Sequence, residues 1–407
     1  MDPFDIVIVT NSAGELSTYV KPAVEELSKA IPQARILLVL TPCQYATGRE
    51  LEEAKSFPGI WEVVIPQEYK KWMLKGKPPT GIKFNKTGLV LYLGGDLLHA
   101  VLISKKLKYP AIAYTQKNAH WQRHFKLFLV PDDAARHRLA RTGIPEEKLR
   151  TVGDLMVDSV PQTMDESSAA LRWKINPGNP VISFLPGSRR FQIEYMLPFF
   201  LETSKMIQKV VPEAQFLMLL SPYITEDEIK RSLRGEGTIY SQGDLKHIQT
   251  KSGSRVQMIT SSRHEAISLS TMVLTIPGTN TAEIAAIGTP MIIVFPLDRA
   301  DSIPLEGISD YICRIPLMGP LLKKIIITII GWRTKYFGLP NMKAGREIVP
   351  ELRGTVKPKE VAARAVQCLK DPGSLSEMRA QLKSTMGGRG AAARIAKEIT
   401  RIMEANS

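Results

Sequence analysis

Short apolar runs alternate with stretches of helical periodicity along this chain, and that alternation constrains the fold more than any other feature. The runs Ile6–Thr10, Ile36–Leu40, Glu62–Ile65, Leu89–Leu93, Ala111–Tyr114 and Leu127–Val130 are rich in aliphatic side chains with little polar interleaving. Strands of that kind are buried on both faces, which requires a parallel sheet between two layers of helices. Val20–Ala30, Thr47–Ser56 and Leu97–Lys106 are the predicted helices between them. The rhythm stops at residues 161–178, a polar stretch with Pro161, Pro177 and Gly178. It restarts with predicted strands Val181–Leu185, Phe216–Leu220, Val256–Met258, Met272–Ile276 and Met291–Phe295, and with helices at Tyr195–Val211, Ile224–Leu233, His264–Ser270 and Ala282–Ile287. The expected organisation is α/β. Two Rossmann-like domains, 1–160 and 179–372, are joined by a linker at 161–178 and followed by a helical tail at 373–407. Facing one another, two such domains place a cleft between the carboxyl ends of their sheets.

A chain of 407 residues has length for two such domains. Its three cysteines are far apart and form no CxxC pair, so neither a disulfide framework nor a zinc cluster is expected, and the compartment reads as reducing. The first residues lack the basic flank of a secretory signal. A formal net charge of +14 points to anionic partners. Nucleic acid would bring a recognition helix or an aromatic strand motif, and neither is present in the sequence. A nucleotide or an anionic membrane surface fits better. No GxGxxG follows a predicted strand, which argues against a dinucleotide oxidoreductase.

The second half carries the most informative turns. In "VISFLPGSRRF" a strand ends in Pro186-Gly187-Ser188, with Arg189 next. Gly187 lets a backbone approach a ligand, and an arginine beside it suits phosphate oxygens. Taken alone, this is equally an ordinary turn with solvated arginines. A second strand ends in "IPGTNTAE". Gly278, Thr279 and Thr281 at a helix start make an anion site, and Glu283 one turn later suits a vicinal diol such as ribose. Taken alone, Glu283 is equally a capping acid. A third stretch, "FGLPNMKAGREIVPELRG", gathers Asn341, Lys343, Arg346 and Glu347, with a helical pattern predicted to begin at Arg346.

The "LPGSR" turn, the "GTxTxE" helix start and the "LPNxxAGREIVPEL" segment follow one another here in the order found in lipid-A-disaccharide synthases, which this chain resembles over nearly its whole length. "AGE" after the first strand, "GGD" after the Leu89–Leu93 strand and "VGDLMVDSV" before the linker agree. The resemblance implies the two-domain GT-B arrangement of glycosyltransferases. It also implies transfer of an acylated glucosamine from UDP to an acylated glucosamine 1-phosphate, with inversion, release of UDP and neither metal nor cofactor. Carried over, Gly187, Ser188 and Arg189 meet the UDP, while Gly278, Thr279 and Thr281 face phosphate. Glu283 takes the ribose, and Asn341 and Arg346 line the cleft. The expected partners are a UDP-sugar, a lipid acceptor and an anionic membrane surface. The protein would then be cytoplasmic and peripheral to the inner face of the cytoplasmic membrane. The oligomeric state is left open.

An inverting transfer needs a base for the acceptor hydroxyl. Asp96, at the end of "LYLGGD", is the leading candidate and Glu15 the second, with His99, His120 and His124 as alternatives. As a plain reading, Asp96 is equally the cap of the helix that follows. Gly14, Ser17 and His120 are expected on the acceptor side. Two departures from the family fall in this half. Thr18 and Tyr19 replace the Gly-Asp that ends the family's first turn, and no Pro-Asp-Phe follows Asp96. The alternatives are therefore a relative that glycosylates another lipid, or a UDP-sugar epimerase of the same fold. Finally, residues 298–338 form an apolar insertion broken by Lys323 and Lys324. It reads as a segment lying in a membrane interface, with Leu317, Ile325, Ile326, Ile329 and Trp332 as contacts, the alternative being a buried core helix with snorkelling lysines.

Overall fold

The computed structural model describes residues 3–43, 50–79, 81–117, 120–221, 224–251, 253–296 and 335–405. The membrane contacts expected at Leu317, Ile325, Ile326, Ile329 and Trp332 lie outside the described residues. No described helix is long and apolar enough to cross a membrane. The chain divides into two compact units, Met1–Ser159 with Gly387–Ser407, and Val160–Met386. Each is a Rossmann-like α/β unit.

In the first unit the strands β1 (Phe4–Thr10), β2 (Ala34–Leu40), β3 (Ile60–Val64), β4 (Thr87–Tyr92), β5 (Ala111–Tyr114), β6 (Phe125–Val130) and β7 (Leu149–Thr151) pair in parallel. Their order is β3-β2-β1-β4-β5-β6-β7. Every residue of β1 is buried, because alternate side chains feed two separate cores. Ile6 and Ile8 join Leu27 and Ile395 on one face, and Val7 and Val9 join Trp72 and Phe128 on the other. The tail is not one body. Pro372–Met386 belongs to the second unit, and Ala391–Glu404 belongs to the first, with Gly387-Gly388-Arg389-Gly390 between them. The last helix buries Ala391, Ile395, Ile399 and Ile402, a stripe of helical spacing. The Asp158 carboxylate caps its start by accepting from the amides of Gly390 and Ala392, each at 2.7 Å.

The second unit holds β8 (Val181–Leu185), β9 (Gln215–Leu219), β10 (Gly237–Gln242), β11 (Leu245–Thr250), β12 (Arg255–Ile259), β13 (Met272–Thr275), β14 (Met291–Pro296) and β15 (Glu351–Gly354). Their order is β10-β11-β12-β9-β8-β13-β14-β15. The antiparallel hairpin of β10 and β11 has no counterpart in the expected strands. It mixes polar and apolar side chains and is partly exposed, so it lacks the continuous apolar signature of the central strands. The expected linker is an ordered part of this unit. Asp165 caps the Glu166–Arg172 helix, Trp173 is buried, and the Gln215 side chain bonds both the amide and the carbonyl of Asn176 at 2.8 Å.

Candidate functional site

In a doubly wound sheet, ligands gather where the strand order reverses, beyond the carboxyl ends of the two central strands. In the first sheet those strands are β1 and β4. The turns that leave them carry Glu15 and Asp96, and the structure joins the two turns. One oxygen of Glu15 accepts from Thr10 Oγ1 at 3.3 Å and from the Asn11 amide at 3.4 Å. The other accepts from the Gly95 amide at 3.3 Å. A Cβ on Gly94 would sit 2.2 Å from the Glu15 carboxyl carbon, so any larger residue there would push that carboxylate aside. Gly95 has φ of +85°, which an L side chain rarely adopts. Burial raises the Glu15 carboxyl above its ordinary value, against the bonds from Gly95, Asn11 and Thr10.

Asp96 follows, exposed, and its Oδ1 accepts from the Leu98 amide at 2.8 Å. It therefore does cap the Leu97–Leu107 helix, with its carboxylate open to solvent. His99 lies one turn on, with Nδ1 2.7 Å from the hydroxyl of buried Tyr69. Burial lowers the His99 pKa, opposed by the charge of Asp96. His120 is exposed beside Trp121.

The Ser17 and Thr18 hydroxyls both donate to the Gly14 carbonyl, at 3.2 and 2.6 Å. Leu16–Val20 is a π turn, a widening that Pro22 favours because it offers no amide to the Thr18 carbonyl. Tyr19 packs edge-on against Tyr114, ring centroids 5.4 Å apart. Burial first, then the charge of Asp154, raises both hydroxyls. The residues that depart from the family pattern are thus built into the wall below Glu15.

In the second sheet the order reverses at β8, which has β9 on one side and β13 on the other. β8 and β13 end in register, Leu185 opposite Thr275, so their turns lie side by side. Gly187 has φ of +105°, and a Cβ there would meet Gln192 Oε1 at 2.4 Å and Ile276 at 2.8 Å. Gln192 Oε1 accepts from the amides of Ser188 and Arg189, both at 3.1 Å. Arg189 is half-buried at the N-cap position of the Arg190–Gln208 helix, while Arg190 pairs with Glu194.

Across from this turn, Gly278 precedes the Thr279–Ile287 helix and Thr279 is half-buried. Thr281 is fully buried. Its hydroxyl donates to the Gly278 carbonyl at 2.8 Å and accepts from the Leu339 amide at 3.2 Å, so it ties two backbone segments together. Glu283 is buried against the Arg263–Leu269 helix. Arg263 donates to its Oε2, and His264 Nε2 lies 3.6 Å from the same oxygen. Burial opposes the charge, but Arg263 and then His264 outweigh it and hold the carboxyl below its ordinary value.

The third motif folds onto itself. Its helix is Leu339–Ala344, and Arg346 and Glu347 follow that helix instead of opening a new one. Asn341 is 0% exposed. Its Oδ1 accepts from Ile348 and Val349 at 2.7 and 3.0 Å, and its Nδ2 donates to the Val349 carbonyl and to Glu351 at 2.8 Å. Glu351 in turn takes the Phe337 and Gly338 amides, each at 2.9 Å. With its side chain engaged by Ile348, Val349 and Glu351, Asn341 is a clasp within this segment. Arg346 is exposed and bonds Gln381 at 3.3 Å.

A family model described as lipid-A-disaccharide synthetase matches residues 146–303, a span that contains both glycine turns of the second unit. A lipid-A-disaccharide synthase of Geobacter sulfurreducens is 26% identical over 260 residues, 63% of this chain and 57% of that protein. One from Methylobacillus flagellatus is 24% identical over 383 residues, 88% of this chain and 89% of that protein. The chain is similar to lipid-A-disaccharide synthases, at 24–26% identity to these two. It spans 57% of the length of the Geobacter protein it matches. Solved UDP-N-acetylglucosamine 2-epimerases share its fold. One superimposes with a TM-score of 0.59 at 13% identity, covering 100% of this chain and 98% of that one. The Neisseria meningitidis enzyme, bound to UDP-GlcNAc, does so with a TM-score of 0.56 at 13% identity, covering 98% and 100%.

The structure also brings to these turns residues that no motif announced. Arg263 lies 20 residues before Glu283, with strand β13 between them, and Arg263 and His264 meet it only in the folded unit. Gln192 sits three residues past Arg189, the spacing of a capping box, and that spacing was the available signal. The depressed Glu283 carboxyl sets a pH dependence. Its contribution is present above the ordinary value of 4.5 and is lost as pH falls through the lower folded value. The urea midpoint of the wild type is therefore expected to fall more steeply below that pH than the midpoint of Glu283→Gln. Parallel acid limbs would remove Glu283 as the linked group.

Proposed function

We propose that the protein is a glycosyltransferase that moves a sugar from a UDP-sugar to a membrane lipid with inversion. The reaction closest to its relatives joins a UDP-2,3-diacylglucosamine to an acylated glucosamine 1-phosphate. The match of residues 146–303 to the lipid-A-disaccharide synthetase model carries this reading, because it spans the β8 and β13 turns at the switch point of the second sheet. In the proposal, Arg189 meets the UDP, the β13 turn with Gly278 and Thr279 faces its phosphates, Glu283 meets the ribose hydroxyls, and no metal takes part. Asp96 takes the proton as the acceptor hydroxyl oxygen bonds to the anomeric carbon, and the bond from that carbon to UDP breaks with its electron pair leaving on the diphosphate. The apolar sequence Ile312–Trp332 supports a lipid acceptor and an anionic membrane surface as partners.

The fold shared with UDP-N-acetylglucosamine 2-epimerases supports a second reading, epimerisation of the UDP-sugar itself. One experiment separates the two. The protein is incubated with several UDP-sugars and vesicles of total lipid extract from a lipid-A-producing bacterium, and the pelleted lipid, the nucleotide sugars and the bound protein are measured. The proposal expects free UDP, a lipid heavier by one donor sugar, and protein in the pellet. An epimerised UDP-sugar with no new glycolipid would replace it, and protein left in the supernatant would remove the membrane partner.

A further inference from the structure

We infer that Glu15 is a positioning residue, which fixes the backbone that presents Asp96, and not the group that takes the proton. The inference rests on the proposed transferase reading for its kinetic part and on geometry for the rest. Both Glu15 oxygens are engaged within the unit, one by Thr10 Oγ1 and the Asn11 amide, the other by the Gly95 amide. The Gly95 peptide is gripped on its other side as well, since Tyr92 donates its hydroxyl to the Gly95 carbonyl at 2.6 Å. Asp96 is the next residue, so the donor before it and the acceptor before it are both held.

The glycines make the grip possible. A Cβ on Gly94 would lie 2.2 Å from both the Cδ and the Oε2 of Glu15, closer than any real contact. A Cβ on Gly95 would lie 3.1 Å from Asn11 Cγ and 3.2 Å from Thr41 Oγ1. The "AGE" turn after β1 and the "GGD" turn after β4 are therefore two halves of one clasp. Asp96 differs from Glu15 where a base must differ: it is exposed, and its Oδ1 is bound by one amide of its own helix. An exposed carboxylate is open to an acceptor hydroxyl, whereas both oxygens of Glu15 are already engaged within the unit.

The test compares Glu15→Gln, Glu15→Ala and Gly94→Ala in the full chain. Two readouts are taken: hydrogen exchange at the Gly95 amide, and kcat and KM with the UDP-sugar. Gln retains an oxygen that accepts from Gly95 and cannot take the proton. Gly94→Ala leaves Glu15 in place chemically and only pushes its carboxylate off the turn. Glu15→Ala and Gly94→Ala are expected to expose the Gly95 amide to exchange. They are expected to lower kcat by about 10²-fold at unchanged KM, the scale of a misplaced catalytic group. Glu15→Gln is expected to recover at least about tenfold of that loss, with Gly95 still protected. The inference is overturned if Glu15→Gln is as slow as Glu15→Ala while Gly95 stays protected, since Glu15 would then be the proton acceptor. It is also overturned if Gly95 exchanges in Glu15→Ala at the wild-type rate. If the wild type itself turns over no UDP-sugar, the transferase reading fails, and the exchange data still decide the clasp.

Discussion

Asp96→Asn is expected to lower turnover of the UDP-sugar by about 10²–10⁴-fold, the usual contribution of a positioned base, with UDP affinity unchanged by calorimetry. The choice of asparagine follows from the structure. Asp96 accepts from the Leu98 amide and caps the Leu97–Leu107 helix. Asn caps as well as Asp does, so this substitution keeps the helix start and removes only the ability to take a proton. Alanine would remove both, with a cap loss of about 1 kcal/mol that would blur the result. The Gly95 clamp on Glu15 and Tyr92 is also left intact, so a loss of rate cannot be laid to a shifted turn. A rate within a few-fold of wild type would leave Asp96 as a cap and return the base to Glu15 or His99. The same variant separates the chemistry from donor binding, because the turns that carry Gly187 and Gly278 belong to the other unit.

The sheets were legible in the sequence because their central strands are covered on both faces. β1, β4, β8 and β13 are apolar over most of their length, and such runs have few other meanings. The half-exposed β10–β11 hairpin and the short β15 edge carry no such pattern, and neither was expected. Glu15 and Asp96 were legible as strand-end residues, yet their coupling through Gly94 and Gly95 was not. That contact joins segments 80 residues apart, and only the register of β1 with β4 brings them together. Arg263 and Glu283 are a similar case. The third motif shows a different limit. A polar side chain that faces a ligand and one that is buried and satisfied look alike in a sequence. Asn341 was expected in the first class and belongs to the second. Thr281 repeats the point: its hydroxyl is spent on Gly278 and Leu339.

That distinction makes Asn341→Ala the stability counterpart of Asp96→Asn. The Asn341 carboxamide makes four hydrogen bonds at 0% exposure, to Ile348, Val349 twice and Glu351. Removing it strands two amides, a carbonyl and one contact of a carboxylate in a dry site. Each unsatisfied buried group costs about 1–3 kcal/mol before relaxation. Some of that returns as the turn opens to water, so a net loss of about 3–5 kcal/mol is expected, read as a lower urea midpoint. The loss should spread along the segment, because Glu351 depends on Asn341 for one partner and itself holds the Phe337 and Gly338 amides. Asn341→Asp is nearly isosteric and is expected to fare no better. It turns the donor that faces Glu351 and the Val349 carbonyl into a second acceptor, which sets two carboxylates against each other. UDP affinity of whatever fraction stays folded should be close to wild type. If Asn341→Ala instead costs less than about 1 kcal/mol and abolishes UDP binding, the clasp is dispensable and the residue serves the ligand after all.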